Sequence, residues 1–566
     1  MAVRAINPIS RTYRHINRYL DIIGILVKYG FGEILAKLGL HKHLDFGKGF
    51  ILGKAAAEIA AASGWERARM ALEELGPTFV KFGQIMSTRP DMVPLELIAE
   101  LQKLQDTVPP FSTADAKRII KEDLGSSVDL IFKDFPDSPT AAASMAQVYK
   151  AILPDDDVVA VKVQRPNMNQ IVEVDLEIMR DLATRIKRHY KEQDAVDPVK
   201  LVEEFARAIR KELDLRIEIA QIERFARIFP SDVTIHVPKV YRDYSSSKVL
   251  TMEFIDGYKI TDITKPEVLE CDIDPKVVAS RGADLILKQI FEHGFFHADP
   301  HPGNIRVLAD NVICFLDYGM MGTLSARHRE DLADILIGIE TKDERKVTRS
   351  ILKLSGHRQF GDEEELESDI VEFIDVYAYG SLKELELGNL LNRFVDVITE
   401  HQLKIPRDFY LLVKALVTIE GVGRELDPDF NAVEHAEPFA TKLVLARMNP
   451  QRLIKELYGS AVETGMLIHD LPYSLNGMLR QIKQGDVKVK FEPTGFEHVL
   501  NTLDQISNRM VFARVLASLV VGSALIVLSG IPPKWHDIPV IGIVGFLSAG
   551  LMAFYLLFSI LRHGRL

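Results

Sequence analysis

The chain has 566 residues, 47% of them hydrophobic and 26% charged, with a formal net charge of -11. That composition excludes a disordered chain, and at roughly 150 residues per domain it leaves room for several domains. The acidic balance argues against nucleic acid as a partner, because binding a phosphate backbone needs a basic surface. The two cysteines, Cys271 and Cys314, form neither a disulfide framework nor a zinc spacing, which suits a reducing compartment; Cys314, in an apolar run, reads as a small core residue.

At the start of the chain, Tyr13, Ile16, Leu20, Ile23, Val27, Phe31, Ile34 and Leu35 recur at three- and four-residue steps among Arg11, Arg14, Arg18, Lys28 and Lys37. This is the pattern of a basic amphipathic helix, suited equally to an anionic membrane surface or to packing on the domain. No signal peptide is expected, since the apolar stretch Ile22 to Val27 is flanked by Asp21 and Lys28 and no small-residue cleavage site follows.

Further on, the small-residue turn Ala141-Ala142-Ala143-Ser144 precedes a β-branched run, Val158-Val159-Ala160-Val161-Lys162. The run matches the kinase strand whose lysine holds the α- and β-phosphates, and the turn stands where kinases carry a glycine-rich loop. Alanine permits close approach of backbone to phosphate but does not readily reach positive φ, so nucleotide handling is expected to differ from that of ordinary kinases. A lysine in that post needs a carboxylate partner. The acidic helical segment 211–220 offers Glu218, and Glu173 and Glu177 are nearer in sequence; spacing leaves the choice open. The run Val249 to Gly257 reads as a strand entering a hinge between lobes, where backbone groups near Glu253 and Ile255 could meet an adenine.

The most informative stretch is His297-Ala298-Asp299-Pro300-His301-Pro302-Gly303-Asn304, followed by Leu316-Asp317-Tyr318-Gly319. Kinase centres use H-x-D-x-x-x-x-N to place an Asp at the attacking hydroxyl and an Asn on Mg²⁺, then D-F-G to supply a second metal ligand. Asp299, Asn304 and Asp317 fit these three posts. From Ser325 the pattern is already helical and no A-P-E segment follows, so a platform for a peptide substrate is not expected.

Near the C-terminus, residues 515–531 and 540–561 form uncharged apolar runs of 17 and 22 residues. At about 1.5 Å per residue these lengths suit an acyl core about 30 Å thick, which predicts a transmembrane hairpin. Arg509 and Arg514 before it, and Arg562, His563 and Arg565 after it, place both ends and the catalytic domain on the cytoplasmic side.

Together these residues resemble the UbiB family of atypical kinase-like proteins, also called aarF-domain proteins, over about Leu72 to Leu324. The most specific piece is Leu75-Gly76-Pro77-Thr78-Phe79-Val80-Lys81-Phe82-Gly83-Gln84, with the family's K-x-G-Q motif at Lys81 and Gln84. The resemblance implies that an N-terminal extension folds over the pocket and that Lys81 enters it. It carries the E-x-D motif to Glu212 and Asp214, the alanine-rich loop to Ala141 through Ser144, and the ion-pair glutamate to Glu218. It further implies ATP and Mg²⁺ as cofactors, and slow ATP hydrolysis in support of isoprenoid-quinone synthesis. Implied partners are membrane lipids, quinone precursors and other quinone-synthesis enzymes; a homodimer through the hairpin is left open.

The expected fold is α+β and bilobal, protein-kinase-like, with an N-terminal helical extension and a C-terminal two-helix transmembrane hairpin. Its expected divisions are amphipathic helices to 64, the K-x-G-Q extension over 65–113, a small lobe over 114–254, a large helical lobe over 255–510 and the hairpin over 511–566. The expected location is a bacterial cytoplasmic membrane, crossed more than once. Two other activities fit the same motifs: a small-molecule or lipid phosphotransferase, since such kinases also lack A-P-E, and a nucleotide-binding scaffold without turnover.

Overall fold

The computed structural model describes residues 8–40, 59, 61–89, 92–104, 108–189, 197–269, 272–356, 363–378, 387–401, 403, 405–447 and 496–563. The chain divides into two compact units, Met1–Ile454 and Lys455–Leu566.

In the first unit, strands β1 (Ala141–Ala142), β2 (Ala146–Ile152) and β3 (Val158–Gln164) are followed by the short β4 (Ile235–His236) and by β5 (Val249–Glu253). Strands β1, β2, β3 and β5 form one antiparallel sheet in that order. Alternation along β3 divides its labour. Val159, Val161 and Val163 have no exposed surface and pack with Ile119, Ile120 and Tyr149 on one face, while Ala160 and Lys162 point to the other. Helix Leu215–Ile228 lies beside this sheet, and Asp214 caps it by accepting from the Arg216 amide at 3.1 Å.

Beyond β5 come β6 (Tyr258–Lys259), β7 (Phe295–His297), the hairpin β8 (Ile305–Leu308) with β9 (Val312–Phe315), and β10 (Met321–Thr323), which pairs with β7. Ser325 caps the next helix, Ala326–Glu340, so few residues separate Asp317 from helical structure. Among the described residues the rest of the lobe is mainly helical, and its largest core cluster runs from Phe225 and Phe295 to Phe409 and Leu426. The fold is therefore α+β and kinase-like in its two lobes.

The extension is built from helices Gly64–Leu75, Pro77–Met86 and Leu95–Leu101. Ser63 and Glu66 form a capping box on the first, and Gly76 at φ +98° turns the chain into Pro77 at the start of the second. Gly83, in the K-x-G-Q stretch, is where this helix meets its neighbours. A Cβ there would overlap Leu104 and lie 3.1 Å from both Leu101 and Leu72. Gly83→Val is therefore expected to cost about 1–3 kcal/mol through overpacking, read as a lowered melting midpoint, while an unchanged midpoint would count against this packing.

Helix Pro8–Lys28 packs on the domain, which decides between the two readings of the N-terminal pattern for its inner face. Ile22 is fully buried with Leu75, Phe79 and Leu176, and Arg18 reaches the fully buried Asp175 at 2.7 Å and the Leu75 carbonyl at 2.7 Å.

The second unit contains helices Phe496–Ser529 and Val540–His563, packed together and joined through the paired strands β11 (Lys534–Trp535) and β12 (Ile538–Pro539). Among the described residues, one helical stretch, Met510–Ser529, is long and apolar enough to cross a membrane by length and composition. The apolar part of the following helix, Val540–Tyr555, is shorter. The expected double crossing is thus supported to the extent of one candidate span. Residues 451–495, counted in the large lobe by the sequence reading, lie outside the described residues.

Candidate active site

Strand β3, helix Leu215–Ile228 and the chain just after β9 bring together the charged residues Lys162, Glu218 and Asp317 that the motifs singled out. Lys162 Nζ lies 2.8 and 2.9 Å from the two Glu218 oxygens and 3.7 Å from Asp317 Oδ1. Glu173, an alternative partner in the sequence, instead holds Arg210 at 2.6 Å. Burial works against the Lys162 ammonium, but the charges of Asp317 and Glu218 outweigh it and hold the group above the ordinary lysine range. Burial likewise opposes ionisation of Asp317. Lys162, the Gly319 amide at 2.8 Å and Lys81 overcome it and hold the carboxyl well below the usual range. Glu218, only 5% exposed, is pushed up chiefly by burial, offset by Lys162 and reinforced by Asp317.

Lys81 of the extension is 8% exposed and forms an ion pair with Glu212, the last residue of helix Pro198–Glu212. Glu212 in turn helps hold Lys162 protonated. The extension thus contributes a cation to the same electrostatic network as the cleft. The other two motif residues sit outside that network: Gln84 donates to the Leu104 carbonyl at 3.5 Å within the extension, and Asp214 is the helix cap described above, with Arg216 on its carboxylate at 2.6 Å. Their work in the structure is to hold elements in place.

The segment before Asp317 is ordered by His297, which is 1% exposed. Its Nδ1 accepts from the Asp299 amide at 3.2 Å, so the hydrogen of the neutral ring is on Nε2, which donates to the Asp317 carbonyl at 2.5 Å. Burial favours that neutral form by lowering the histidine's pKa. One imidazole therefore ties Asp299 to Asp317 through their backbones. Asn304 is tied in as well, its carbonyl accepting from the Leu316 amide at 2.9 Å. Tyr318 replaces the usual phenylalanine and packs edge-on against Phe225 at 5.3 Å, fully buried.

Sequence reasoning missed Lys414. This residue of helix Arg407–Leu426 reaches across to Asp299 Oδ1 at 2.9 Å, both side chains being about one-third exposed at 34% and 32%. The only signal in the sequence was a lysine inside the apolar run Leu411-Leu412-Val413-Lys414-Ala415-Leu416, and nothing local says where its helix docks.

At the expected hinge, Glu253 does not offer its amide, which donates to the Lys239 carbonyl at 2.8 Å; the Phe254 amide is likewise taken by Val158 at 3.1 Å. The Glu253 carboxylate holds His236 at 2.9 Å and the Lys239 amide at 3.1 Å. The Ile255 amide has no hydrogen-bond partner among the described residues, which makes it the available donor. In the alanine loop, Ala141 and Ala143 are exposed, whereas Ser144 is 2% exposed and faces the body of the protein.

Among the described residues, no three His, Cys, Asp or Glu side chains gather into a metal cluster. Asn304 and Asp317 do offer hard oxygen donors, one of them held ionised, which is the donor type of a Mg²⁺ ion that completes its shell with waters and substrate phosphates.

This is a kinase-like fold with a charged interlobe centre and an extension that inserts a lysine beside it. Residues 103–351 match the ABC1 atypical kinase-like domain, residues 370–431 the UbiB helical domain and residues 494–562 the ABC1/UbiB kinase-like C-terminal domain. The chain is 32% identical over 550 residues to a probable protein kinase UbiB of Xanthomonas campestris pv. campestris, covering 95% of this chain and 98% of the relative. It is also 32% identical to an uncharacterized protein from the hydrogenase 1 5' region of Clostridium pasteurianum, over 97% and 99% of the two chains. The chloroplastic protein Activity of bc1 complex kinase 7 of Arabidopsis thaliana is 33% identical, over 75% of this chain and 61% of its own length. The chain belongs to the UbiB/ABC1 family of atypical kinase-like proteins.

Proposed function

We propose that the protein is a membrane-anchored, Mg²⁺-dependent ATPase that supports isoprenoid-quinone synthesis by acting on lipid intermediates. The observation that carries this reading is the electrostatic network joining Lys162, Glu218 and Asp317 to Lys81 and Glu212. It holds a phosphate-binding lysine in place while the extension sets Lys81 in the same network, and in this reading that leaves no room for a peptide substrate.

In this reading Lys162 orients the α- and β-phosphates, the Ile255 amide donates to the adenine, and the exposed alanines of the loop allow backbone to approach the phosphates. Asn304 and Asp317 would hold Mg²⁺, which when bound neutralises charge on the transferring phosphoryl group. Asp299 accepts a proton from the attacking water as its oxygen bonds to the γ-phosphorus and the bond to the ADP oxygen breaks. Lys414 fixes the carboxylate for that task. Lys414→Met is expected to lower kcat by about 10–100-fold with little change in the KM for ATP, and Lys414→Arg to recover most of it; equal loss in KM would mean a binding role instead.

The apolar stretch Met510–Ser529 supports anchoring; in this reading the helix Val540–His563 returns through the bilayer, and the flanking arginines favour keeping the catalytic unit on the cytoplasmic side. The test is phosphate release from ATP by the full chain, with and without anionic liposomes carrying a phenolic lipid mimic. Release stimulated by the liposomes supports the reading. A stoichiometric phosphorylated lipid would replace it with phosphotransfer, and ATP binding without release would replace it with a scaffold role.

A further inference from the structure

The alanine loop is fastened to the N-terminal extension as well as to its own sheet. Arg165, directly after β3, donates from Nε to the Ala143 carbonyl at 2.9 Å and from Nη2 to the Pro109 carbonyl at 2.8 Å, with the Val108 carbonyl at 3.4 Å. Its guanidinium lies 5.6 Å from the centre of the Phe111 ring, and its own amide bonds the Met145 carbonyl at 2.9 Å. Residues 108–111 are the linker by which the chain leaves the extension and enters the small lobe.

Two further contacts run the same way. Gln147, with no exposed surface, both accepts from the Phe111 amide at 3.1 Å and donates to the Phe111 carbonyl at 3.2 Å, a strand-like pairing made by a side chain. Met145, at the far end of the loop, is 8% exposed and belongs to the same core cluster as Phe79, Val80, Ile85 and Leu101 of the extension.

The guanidinium suits this post for a physical reason. Its planar fork presents several donors in fixed directions, so one side chain can hold carbonyls of two separate segments at once. An ammonium on a flexible stem does not hold that geometry. A glycine-rich loop is free to fold down onto phosphates, whereas a loop of alanines narrows the choice of backbone conformations, so what fixes its pose matters more.

We propose that Arg165 is a positioning residue for the nucleotide, fixing the backbone of the 141–144 loop to the 108–111 linker so that the loop's pose and the docking of the extension are set together. The assignment of the loop to the phosphates rests on the ATP reading above; the mechanical tie does not. A ligand that displaces the extension therefore also releases the loop, which couples access to the pocket with the affinity of the site.

The test uses the full chain with Arg165→Ala and Arg165→Lys, in two measurements. The first is hydrogen exchange in nucleotide-free protein, where both variants are expected to exchange faster at the amides of residues 141–146 and at those of Val108 and Phe111 together, Pro109 and Pro110 having none. The second is the ATP dependence of phosphate release. There the KM is expected to rise about tenfold, the worth of one charge-assisted hydrogen bond, with kcat changed much less. Arg165→Lys keeps the charge and most of the stem, so a native melting midpoint in that variant separates positioning from folding. Wild-type exchange and wild-type KM in Arg165→Lys overturn the proposal, as does faster exchange confined to one of the two segments. Coupled faster exchange in the variants, beside a wild-type protein that releases no phosphate, upholds the tie and overturns the ATPase reading.

Discussion

Asp317→Asn is expected to abolish Mg²⁺-dependent phosphate release, by about 10²–10³-fold or more, while the purified protein keeps its fold. The size of the effect follows from what surrounds the carboxylate. Lys162 lies 3.7 Å away, the Gly319 amide donates to it at 2.8 Å, and Lys81 adds its charge, so three donors or cations keep this one carboxylate ionised. An asparagine keeps the shape and loses the charge. Lys162 would still have Glu218, so the small lobe should hold together and the melting midpoint should change little beside the loss of turnover. Turnover retained in the variant would show that Asp317 is not the metal-bearing carboxylate.

Lys81→Ala is expected to act in the opposite sense, loosening the pocket and raising nucleotide-dependent self-phosphorylation several-fold. Lys81 is 8% exposed, so its removal leaves a void beside Glu212 and strips a partner from a carboxylate whose side chain is 24% exposed. A buried charge left without its partner is costly, and the local response is opening or repacking. Glu212 would then bear on Lys162 without the neutralising cation, altering the field in which the phosphates sit. The measurement is incorporation of labelled γ-phosphate into the protein, beside Glu212→Gln, which keeps the shape and removes the charge. Incorporation at the wild-type level in Lys81→Ala would show that the extension does not gate the pocket.

Much of the site could be read before any fold was known. The pieces H-x-D-x-x-x-x-N, D-Y-G and V-A-V-K are short, contiguous and ordered along the chain, because each group must come from one strand or one loop to reach its place with correct spacing. The lysine's partner was a different matter. From the residues alone Glu218, Glu173 and Glu177 were alternatives, and only the family resemblance preferred Glu218. The fold brings Glu218 within 2.8 Å of Lys162 because its helix, capped by Asp214, is laid against β5 beside β3, while Glu173 is drawn to Arg210. Lys414 and Arg165 had no reading at all. Each acts on a segment far from it in sequence, Asp299 for one and the 108–111 linker for the other, and no local pattern encodes such a meeting.

By itself, then, the sequence determined what is set by short-range chemistry. This covers the family, the α+β kinase-like lobes, the order of the charged motifs, and an apolar C-terminal stretch of which Met510–Ser529 is long enough to span a bilayer. Only the tertiary structure decided which carboxylate holds Lys162, that the basic N-terminal helix turns Ile22 and Arg18 inward, and that Lys414 and Arg165 belong to the neighbourhood of the cleft. The division has a physical cause. Motif spacing and periodicity are properties of one segment, whereas an ion pair between distant segments exists only after the burial of apolar faces has fixed how helices and sheet lie against one another.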